Sequence, residues 1–451
     1  MSTDGPAAAF SAAFRCIRGC PGVTPLHAAV FRCPTCGGLF DVAHDLEALR
    51  TRTASEWKSL LAARAQPGAA DRETSQSGVW AHHEWVMPWV LRENIVSTGE
   101  GRSPLLYARR VGTDLGVPDL FVKQCGTSHT GSFKDLGMTV LMSVVNQAKK
   151  QGLLDVLAIA CASTGDTSAA LAAYGALAGL PVCVLLPKGL VSTAQLVQPL
   201  AHGAKVFALD TDFDGCMRVV SELAARGRVY LANSMNALRI EGQKTVAFEI
   251  AAQLGWEVPD WVVLPSGNLG NASALFAGFA LMKALGVTSS LPRLLVAQAE
   301  AANPMVRAFS AGAAEIAPIT AGATLATAIR IGAPVSGERA MRALREMNGI
   351  AEHATEDELA DAGARADVRG LYVCPQTAVA LAALRKARAN GHVKATDRVV
   401  LVSTAHGLKF TEMKLGYAEG TLPGVTSRLH NTPIDCAADA DAVAERLAHP
   451  E

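Results

Sequence analysis

Eight short apolar runs, separated by alanine-rich segments, constrain the fold of this 451-residue chain more than any other feature. Continuous apolar runs of this length between helix-sized segments are typical of parallel strands that are buried on both faces. The pattern therefore predicts an α/β fold with more than one sheet. In chain order the runs read DLFVKQC, DVLAIAC, PVCVLLP, AKVFALD, VYLAN, WVVLP, RLLVAQA and RVVLVST.

Composition argues against several classes of partner. Lys and Arg together number 41, as do Asp and Glu, so charge gives no reason to expect a nucleic-acid or membrane-surface partner. No apolar stretch is long enough to span a bilayer, and the first ten residues, MSTDGPAAAF, lack the pattern of a signal peptide. The ten cysteines are too sparse for a disulfide scaffold. We therefore expect a cytoplasmic protein with reduced thiols.

Four cysteines form two pairs near the start of the chain, in CIRGCPGVTPLHAAVFRCPTC. Cys16 and Cys20 enclose three residues, and Cys33 and Cys36 enclose two. Two such pairs on tight turns can place four thiolates around one tetrahedral zinc ion, and a full set of four protein ligands favours a structural site. The alternative is four unrelated buried thiols.

Small polar residues follow four of the predicted strands, where ligands bind in an open parallel sheet. SGNLGN runs directly into a helical pattern, and its glycines with the helix N-terminus suit a phosphate. The alternative is a plain glycine-rich turn. ASTGDTS offers a second cup, suited to a carboxylate, unless Ser163 or Thr167 only caps a helix.

A lysine completes this set of features. Lys134 lies in SHTGSFKDLGM, among hydroxyls and glycines, at an apparent helix start. Such a lysine is either an ordinary solvated helix residue or a covalent catalyst. One phosphorylated aldehyde cofactor bound through Lys134 explains the lysine and both cups together. Pyridoxal phosphate needs a phosphate cup, an amine and a partner for its ring nitrogen.

Five motifs in one order then resemble the threonine synthases, of the tryptophan-synthase-β-like, fold type II group of pyridoxal-phosphate enzymes. They are HTGSFKDLGM, ASTGDTSAA, ANSMNALRIEGQKT, PSGNLGN and STAHGLKF. The resemblance is greatest to the plant-type branch, and implies two open, twisted, mostly parallel sheets with flanking helices, in a homodimer. With the cysteine pairs it implies three regions: a zinc-ribbon-like segment (1–45), a helical extension (46–117) and a catalytic body of two interleaved α/β domains (118–451).

The resemblance also implies roles for individual residues. Lys134 matches the lysine that forms the Schiff base and moves protons, Asp166 falls where the family contacts the cofactor's ring hydroxyl, and Thr404 matches the hydroxyl facing the pyridine nitrogen. The loop that holds the cofactor phosphate is matched by Gly267, Asn268, Leu269, Gly270 and Asn271. The substrate-carboxylate loop is matched by Ser163, Thr164 and Thr167, and the substrate-phosphate pocket by Asn233, Ser234 and Arg239.

The implied reaction converts O-phospho-L-homoserine and water to L-threonine and phosphate, the last step of threonine biosynthesis. Cysteate synthase, threonine dehydratase and a non-catalytic, metal-binding regulator are alternatives, and an intact Lys134 with an intact cofactor loop argues against the last. Arg239 has the alternative of pairing with Glu241. One departure is that the cysteine quartet and GEGRSPL (99–105) resemble bacterial members, so the plant enzymes' activation by S-adenosylmethionine is not carried over.

Overall fold

The computed structural model describes residues 10–66, 72–163, 165–189 and 193–448. Within these ranges all eight apolar runs contain strands, and four further strands lie outside them. The strands are β1 (Ala12–Cys16), β2 (Phe40–His44), β3 (Leu105–Tyr107), β4 (Leu120–Gln124), β5 (Ala158–Ala162), β6 (Val182–Pro187), β7 (Lys205–Leu209), β8 (Val229–Leu231), β9 (Trp261–Pro265), β10 (Arg293–Ala299), β11 (Ile350–Ala354) and β12 (Val399–Ser403).

Helices fill most of the segments between the strands. None of those in the described ranges has both the length and the mean hydropathy needed to cross a bilayer. The α-helices there are α1 (Leu46–Leu49), α2 (Ala54–Ala65), α3 (Arg72–Ser75), α4 (His83–Val86), α5 (Arg109–Leu115), α6 (Lys134–Lys150), α7 (Asp166–Ala178), α8 (Thr193–Ala201), α9 (Phe213–Ala225), α10 (Leu238–Gln243), α11 (Thr245–Gln253), α12 (Gly270–Ala284), α13 (Pro304–Ser310), α14 (Gly337–Glu346), α15 (Glu356–Val368), α16 (Pro375–Ala389), α17 (Thr411–Glu419) and α18 (Ala440–Ala448).

Ten of these strands form two sheets. The larger has the order β11-β10-β9-β12-β4-β3 and is parallel except for β3, which runs antiparallel to β4. The smaller has the order β7-β6-β5-β8 and is parallel throughout. The chain leaves the larger sheet after β4, builds the smaller sheet and returns at β9. The predicted fold class is confirmed, whereas the region boundaries at residues 45 and 117 stay predictions.

Both faces of the larger sheet are buried, which explains the continuous apolar runs. In β9, Trp261 and Val263 belong to one buried apolar cluster, while Val262 and Leu264 belong to another. Successive side chains of a strand point to opposite faces of the sheet. A strand covered by helices on both faces therefore needs an apolar residue at every position.

The larger sheet's two edge strands were not predicted from the sequence. In β11, Glu352 and His353 interrupt the apolar run, and both side chains are half-buried. The other edge strand, β3, has only three residues, and its Tyr107 is 50% exposed. An edge strand has a neighbour on one side only, so fewer of its side chains need to be apolar.

Helices α6 and α10 approach each other at two glycines. A Cβ atom added to Gly242 would lie 1.6 Å from the carbonyl oxygen of Leu136, and one added to Gly137 would lie 2.8 Å from the carbonyl oxygen of Arg239. Both positions therefore have room only for a hydrogen atom. The contact fixes the start of α6, with Lys134, relative to the start of α10, with Arg239.

We predict that Gly242→Ala separates α6 from α10 and lowers the free energy of unfolding by about 1–3 kcal/mol, as overpacking does. Urea unfolding of both proteins measures this difference. Gly337→Ala in α14 is the matched control, because its Cβ would meet Ile316 at an ordinary 3.4 Å. An equal loss of stability in the two variants would show that the contact between the helices is not tight.

Candidate active site

Neighbouring strands of the larger sheet carry three of the predicted motifs to one edge. Strand β12 lies between β4 and β9, and Gln124 of β4 is level with Ser403 of β12. The loop leading to Lys134 follows β4, STAHGLKF covers the end of β12 and its loop, and SGNLGN follows β9. A hydrogen bond of 2.9 Å from the Phe133 N–H to the Thr404 carbonyl joins the first two loops. The sheet thus brings the lysine motif beside the predicted ring-nitrogen residue.

Lys134 begins α6 and is half-buried, with Nζ 3.8 Å from the centre of the Phe133 ring. Burial of the ammonium group lowers the pKa of Lys134 to about 7. The positive charges of Arg239 and Lys409 contribute to this lowering, and the Asp166 carboxylate opposes it. Part of the Lys134 amine is therefore uncharged near neutral pH, and the uncharged form is the one that acts as a nucleophile and base.

A buried carboxylate shapes the loop before Lys134. Asp135 accepts hydrogen bonds from the Ser128 hydroxyl at 2.6 Å, from the Thr130 N–H at 2.8 Å and from the Thr130 hydroxyl at 2.5 Å. The Asp135 side chain is fully buried. These three bonds fold the hydroxyl-rich loop back over the start of α6, so the hydroxyls noticed in the sequence serve the shape of the loop.

Arg239 is a buried cation with no carboxylate among its contacts in the described ranges. It is 4% exposed, its Nη1 donates to the Ala232 carbonyl at 3.1 Å, and its Nη2 donates to the Thr167 hydroxyl at 3.4 Å. Its Nε has no partner there. Burial lowers the pKa of Arg239 to about 10, so the side chain stays charged at neutral pH. The alternative pairing with Glu241 is wrong, because Glu241 pairs with Lys244.

An unpaired charge in a protein interior carries a large desolvation cost. The pocket around Arg239 is therefore suited to an anion that supplies the missing negative charge.

Lys409 is a site residue whose role was not predicted, although it belongs to STAHGLKF. Its Nζ lies 2.7 Å from Oδ1 of Asp166 and donates to the Thr130 carbonyl at 2.9 Å. Asp166 begins α7, which follows β5 of the smaller sheet. Lys409 therefore joins the end of β12, the loop before Lys134 and the smaller sheet. Its position in the STAHGLKF motif could have indicated a role in the site, but the motif does not reveal the ion pair.

The SGNLGN loop has the features of an anion cup. A Cβ on Gly267 would lie 2.8 Å from the Cα of Ile329, and Leu269 adopts a left-handed conformation with φ +63°. Non-glycine residues seldom adopt this conformation, and it is concentrated at ligand sites. The Ser266 hydroxyl and both amide atoms of Asn271 are buried without a partner in the described ranges. Because buried polar atoms are nearly always hydrogen-bonded, these three atoms indicate a polar ligand.

Other predicted residues of the larger sheet are already hydrogen-bonded within the protein. The buried Thr404 has its hydroxyl 3.8 Å from the Cys374 sulfur, a neutral partner. Asn268 accepts a hydrogen bond of 3.3 Å from the Val335 N–H, and Gly270 is the first residue of α12.

The predicted residues of the smaller sheet have differing partners. The Ser163 hydroxyl accepts a hydrogen bond of 3.3 Å from the Gly165 N–H. Asn233 accepts from the Ala162 N–H at 3.1 Å and donates to the Ala162 carbonyl at 2.9 Å, so its amide fixes the end of β5. Ser234 beside it is half-buried. Thr164 lies outside the described residues. The substrate roles of these residues stay predictions.

The four predicted cysteines come together around β1 and the loops that follow it. The N–H groups of Arg18 and Gly38 donate to two of the sulfurs, each at 3.4 Å. Four sulfurs bound to zinc at about 2.3 Å lie roughly 3.8 Å apart, so the cluster has the size of a one-ion site. The atoms that lie within 4.8 Å of one another are the Sγ atoms of Cys16, Cys20, Cys33 and Cys36.

Residues 96–405 match the family described as "Pyridoxal-phosphate dependent enzyme". The chain therefore belongs to the pyridoxal-phosphate-dependent enzyme family. Its relatives place it in the threonine synthase branch, which confirms the resemblance seen in the five motifs. Threonine synthase 2, chloroplastic, of Arabidopsis thaliana is 50% identical over 91% of this chain and 79% of that protein.

Two further comparisons agree. Threonine synthase of Methanocaldococcus jannaschii is 38% identical over 88% of this chain and 92% of that protein. The crystal structure of threonine synthase from Escherichia coli has a TM-score of 0.68, covering 97% of this chain and all of that one, at 22% identity. At that identity the structural likeness supports the fold alone.

The site fits pyridoxal phosphate on two observations. Two donors without a partner in the described ranges, Ser266 Oγ and Asn271 Nδ2, lie in a loop that begins a helix, where a phosphate finds hydrogen-bond donors. The partly uncharged amine of Lys134 is the form that condenses with an aldehyde.

We predict that Lys409→Met raises the pKa of Lys134 above about 7. The change removes a cation and leaves the Asp166 carboxylate without its partner, and both effects favour the charged amine. The uncharged form of Lys134 then appears only at higher pH. The pH dependence of labelling of Lys134 in the cofactor-free protein by an amine-selective reagent, followed by peptide mapping, measures the midpoint.

Lys414→Met is the control for this experiment, because Lys414 pairs with Asp367 and does not act on Lys134. The same midpoint in Lys409→Met as in the unmodified protein would contradict the electrostatic account.

Proposed function

We propose that the chain is a threonine synthase, which converts O-phospho-L-homoserine and water to L-threonine and phosphate in the last step of threonine biosynthesis. The observation that carries this proposal is Arg239, a buried cation without a carboxylate partner in the described ranges. A phosphorylated substrate supplies the missing charge. An unphosphorylated substrate, such as that of a dehydratase, would leave Arg239 uncompensated.

We propose the same cofactor contacts that the motifs implied. The SGNLGN loop would hold the phosphate, Lys134 the aldehyde carbon, Asp166 the ring hydroxyl, and Thr404 the ring nitrogen. Bound pyridoxal phosphate supplies an electron sink for a carbanion at the substrate Cα. The neutral surroundings of Thr404 support its assignment, because a carboxylate there would instead favour a protonated ring nitrogen.

Lys134 and Arg239 have the main roles in the proposed reaction. With a pKa of about 7, Lys134 Nζ can accept protons from Cα and Cβ and donate protons to Cγ and Cα at neutral pH. Arg239 donates hydrogen bonds to the substrate phosphate and stabilises the charge that develops as this group leaves Cγ. Water adds at Cβ. The hydroxyls of Ser163 and Thr167, at the start of α7, would hold the substrate carboxylate.

We predict that Arg239→Ala lowers kcat/KM for O-phosphohomoserine roughly 10- to 1,000-fold, because a hydrogen bond to a charged group contributes about 1.5–3 kcal/mol. Arg239→Lys also loses activity, since an ammonium group cannot donate two parallel hydrogen bonds to a phosphate. Part of the loss appears in kcat, because the same phosphate is the leaving group. Steady-state kinetics with phosphate release measures both parameters.

The absorbance of the bound cofactor should be unchanged in both Arg239 variants, since its phosphate lies in a separate cup. Arg226→Ala is a control, because Arg226 follows α9 directly, is exposed and pairs with Glu222. Near-wild-type kinetics in both Arg239 variants would refute the phosphate role. Assays with phosphoserine plus sulfite, and with threonine alone, separate cysteate synthase and dehydratase activity from the proposed one.

The proposal includes one structural zinc ion on the cysteine cluster, supported by the four converging sulfurs. We predict about one zinc per chain by metal analysis of protein purified without chelator. Cys36→Ser should lose the ion and unfold the N-terminal segment at lower temperature, because metal binding contributes to folding. Cys436→Ser, at an exposed thiol outside the cluster, should change neither property. Purified protein without zinc would contradict this assignment.

We further propose that the protein is cytoplasmic and that it forms a homodimer. The cysteines of the described ranges are all free, which is typical of a reducing compartment. The Arabidopsis relative is named as chloroplastic. Exposed apolar side chains on the edge strand β3, Leu106 and Tyr107, support contact with a second copy.

A further inference from the structure

A buried charged cluster joins the N-terminal segment to helix α10. His44 is the last residue of β2, and its Nε2 lies 2.6 Å from Oε2 of Glu241 and 3.0 Å from Nζ of Lys244. Lys244 is also bonded to Glu241. The three side chains are 5%, 4% and 3% exposed, respectively. Their removal from water carries a desolvation cost that is offset only by their bonds to one another, so each member depends on the others.

Helix α10 depends on contacts of this kind because it has only six residues. A helix this short is unstable on its own, and its orientation is set by what packs against it. Its Gly242 packs against α6, its Arg239 contacts Thr167, and its Glu241 contacts His44. The N-terminal segment is therefore one of the parts of the protein that support the helix carrying Arg239.

Packing beside the contact between His44 and Glu241 is incomplete. A cavity of about 100 Å³ lies between β2, α10, α12 and α14, and its walls include Asp41, Ile240, Glu241 and Phe276. Close packing does not hold α10 where a cavity adjoins it. On this side of the helix, the hydrogen bonds of the His44 cluster must supply the restraint.

We propose that His44 is a positioning residue, which holds α10 through Glu241 so that Arg239 stays directed toward Thr167 and the candidate active site. The inference rests on the proposed function, in which Arg239 binds the substrate phosphate. His44 does not touch the site and acts only through the helix. Without its bond, α10 can shift toward the cavity, and the guanidinium moves from the position that a phosphate requires. The cofactor cup follows β9 and does not depend on this bond.

Two variants of similar size separate positioning from simple attachment of the segment. His44→Gln keeps a donor for Glu241, whereas His44→Met fills the space without one. Titration calorimetry of the cofactor-loaded protein with inorganic phosphate measures the Arg239 pocket directly, and kinetics with O-phosphohomoserine measures turnover. We expect His44→Met to weaken phosphate binding and raise KM about tenfold, the effect of one charged hydrogen bond. His44→Gln should recover most of this loss, and cofactor affinity should be unchanged in both.

Glu338→Gln is the matched control, because it breaks an exposed ion pair of 3.0 Å between Arg18 of the same segment and α14 without touching α10. It should bind phosphate like the unmodified protein. In His44→Met/Arg239→Lys, phosphate binding should be no weaker than in Arg239→Lys alone. If His44→Met does not fold, Glu241→Gln replaces it, since the neutral amide weakens the same bonds.

Unchanged phosphate affinity in these variants, or losses that add fully in the double variant, would overturn the positioning role. Phosphate binding that responds to His44 in a protein without turnover of O-phosphohomoserine would support the positioning role while rejecting the proposed function.

Discussion

The contact between α6 and α10 at Gly137 and Gly242 sets the distance between the two cationic residues at the centre of the site. Two positive charges that lie close together and are partly removed from water repel each other, so keeping both charged costs free energy. Arg239 keeps its charge because a guanidinium remains protonated even with a pKa of about 10. The pKa of Lys134 is about 7, lowered first by burial of its amine and then by the charge of Arg239. The packing of the two helices thus contributes, through the Arg239 charge, to the low pKa of Lys134.

The candidate site takes residues from both sheets. The loop before Lys134 and the end of β12 come from the larger sheet, whereas Asp166 and Arg239 follow strands of the smaller one. Lys409 bridges them through its ion pair with Asp166, and this pair balances two of the three charges that act on Lys134. Arg239 is left with no carboxylate among its described contacts, so the site is prepared electrostatically for an anion.

The sequence predicted the buried parts of this arrangement better than the polar ones. A strand covered on both faces must be apolar at each position, so β9 and its neighbours were recognised, while β11, with Glu352 and His353, was not. The motifs located Lys134 and the cofactor loop by resemblance. The contacts of Arg239 with Thr167 and of Lys409 with Asp166 could not be predicted, because each joins residues far apart in the chain, and nearby Glu241 proved to pair with Lys244 instead.

The N-terminal segment shows how a distant element can serve the chemistry. A segment this small has little apolar core of its own, and a cluster of four thiolates around a metal is a common substitute for one. Cys16 ends β1, which pairs with β2, and His44 at the end of β2 contacts Glu241 on α10. The proposed zinc site and Arg239, the proposed phosphate-binding residue, are therefore joined through one set of strand and helix contacts.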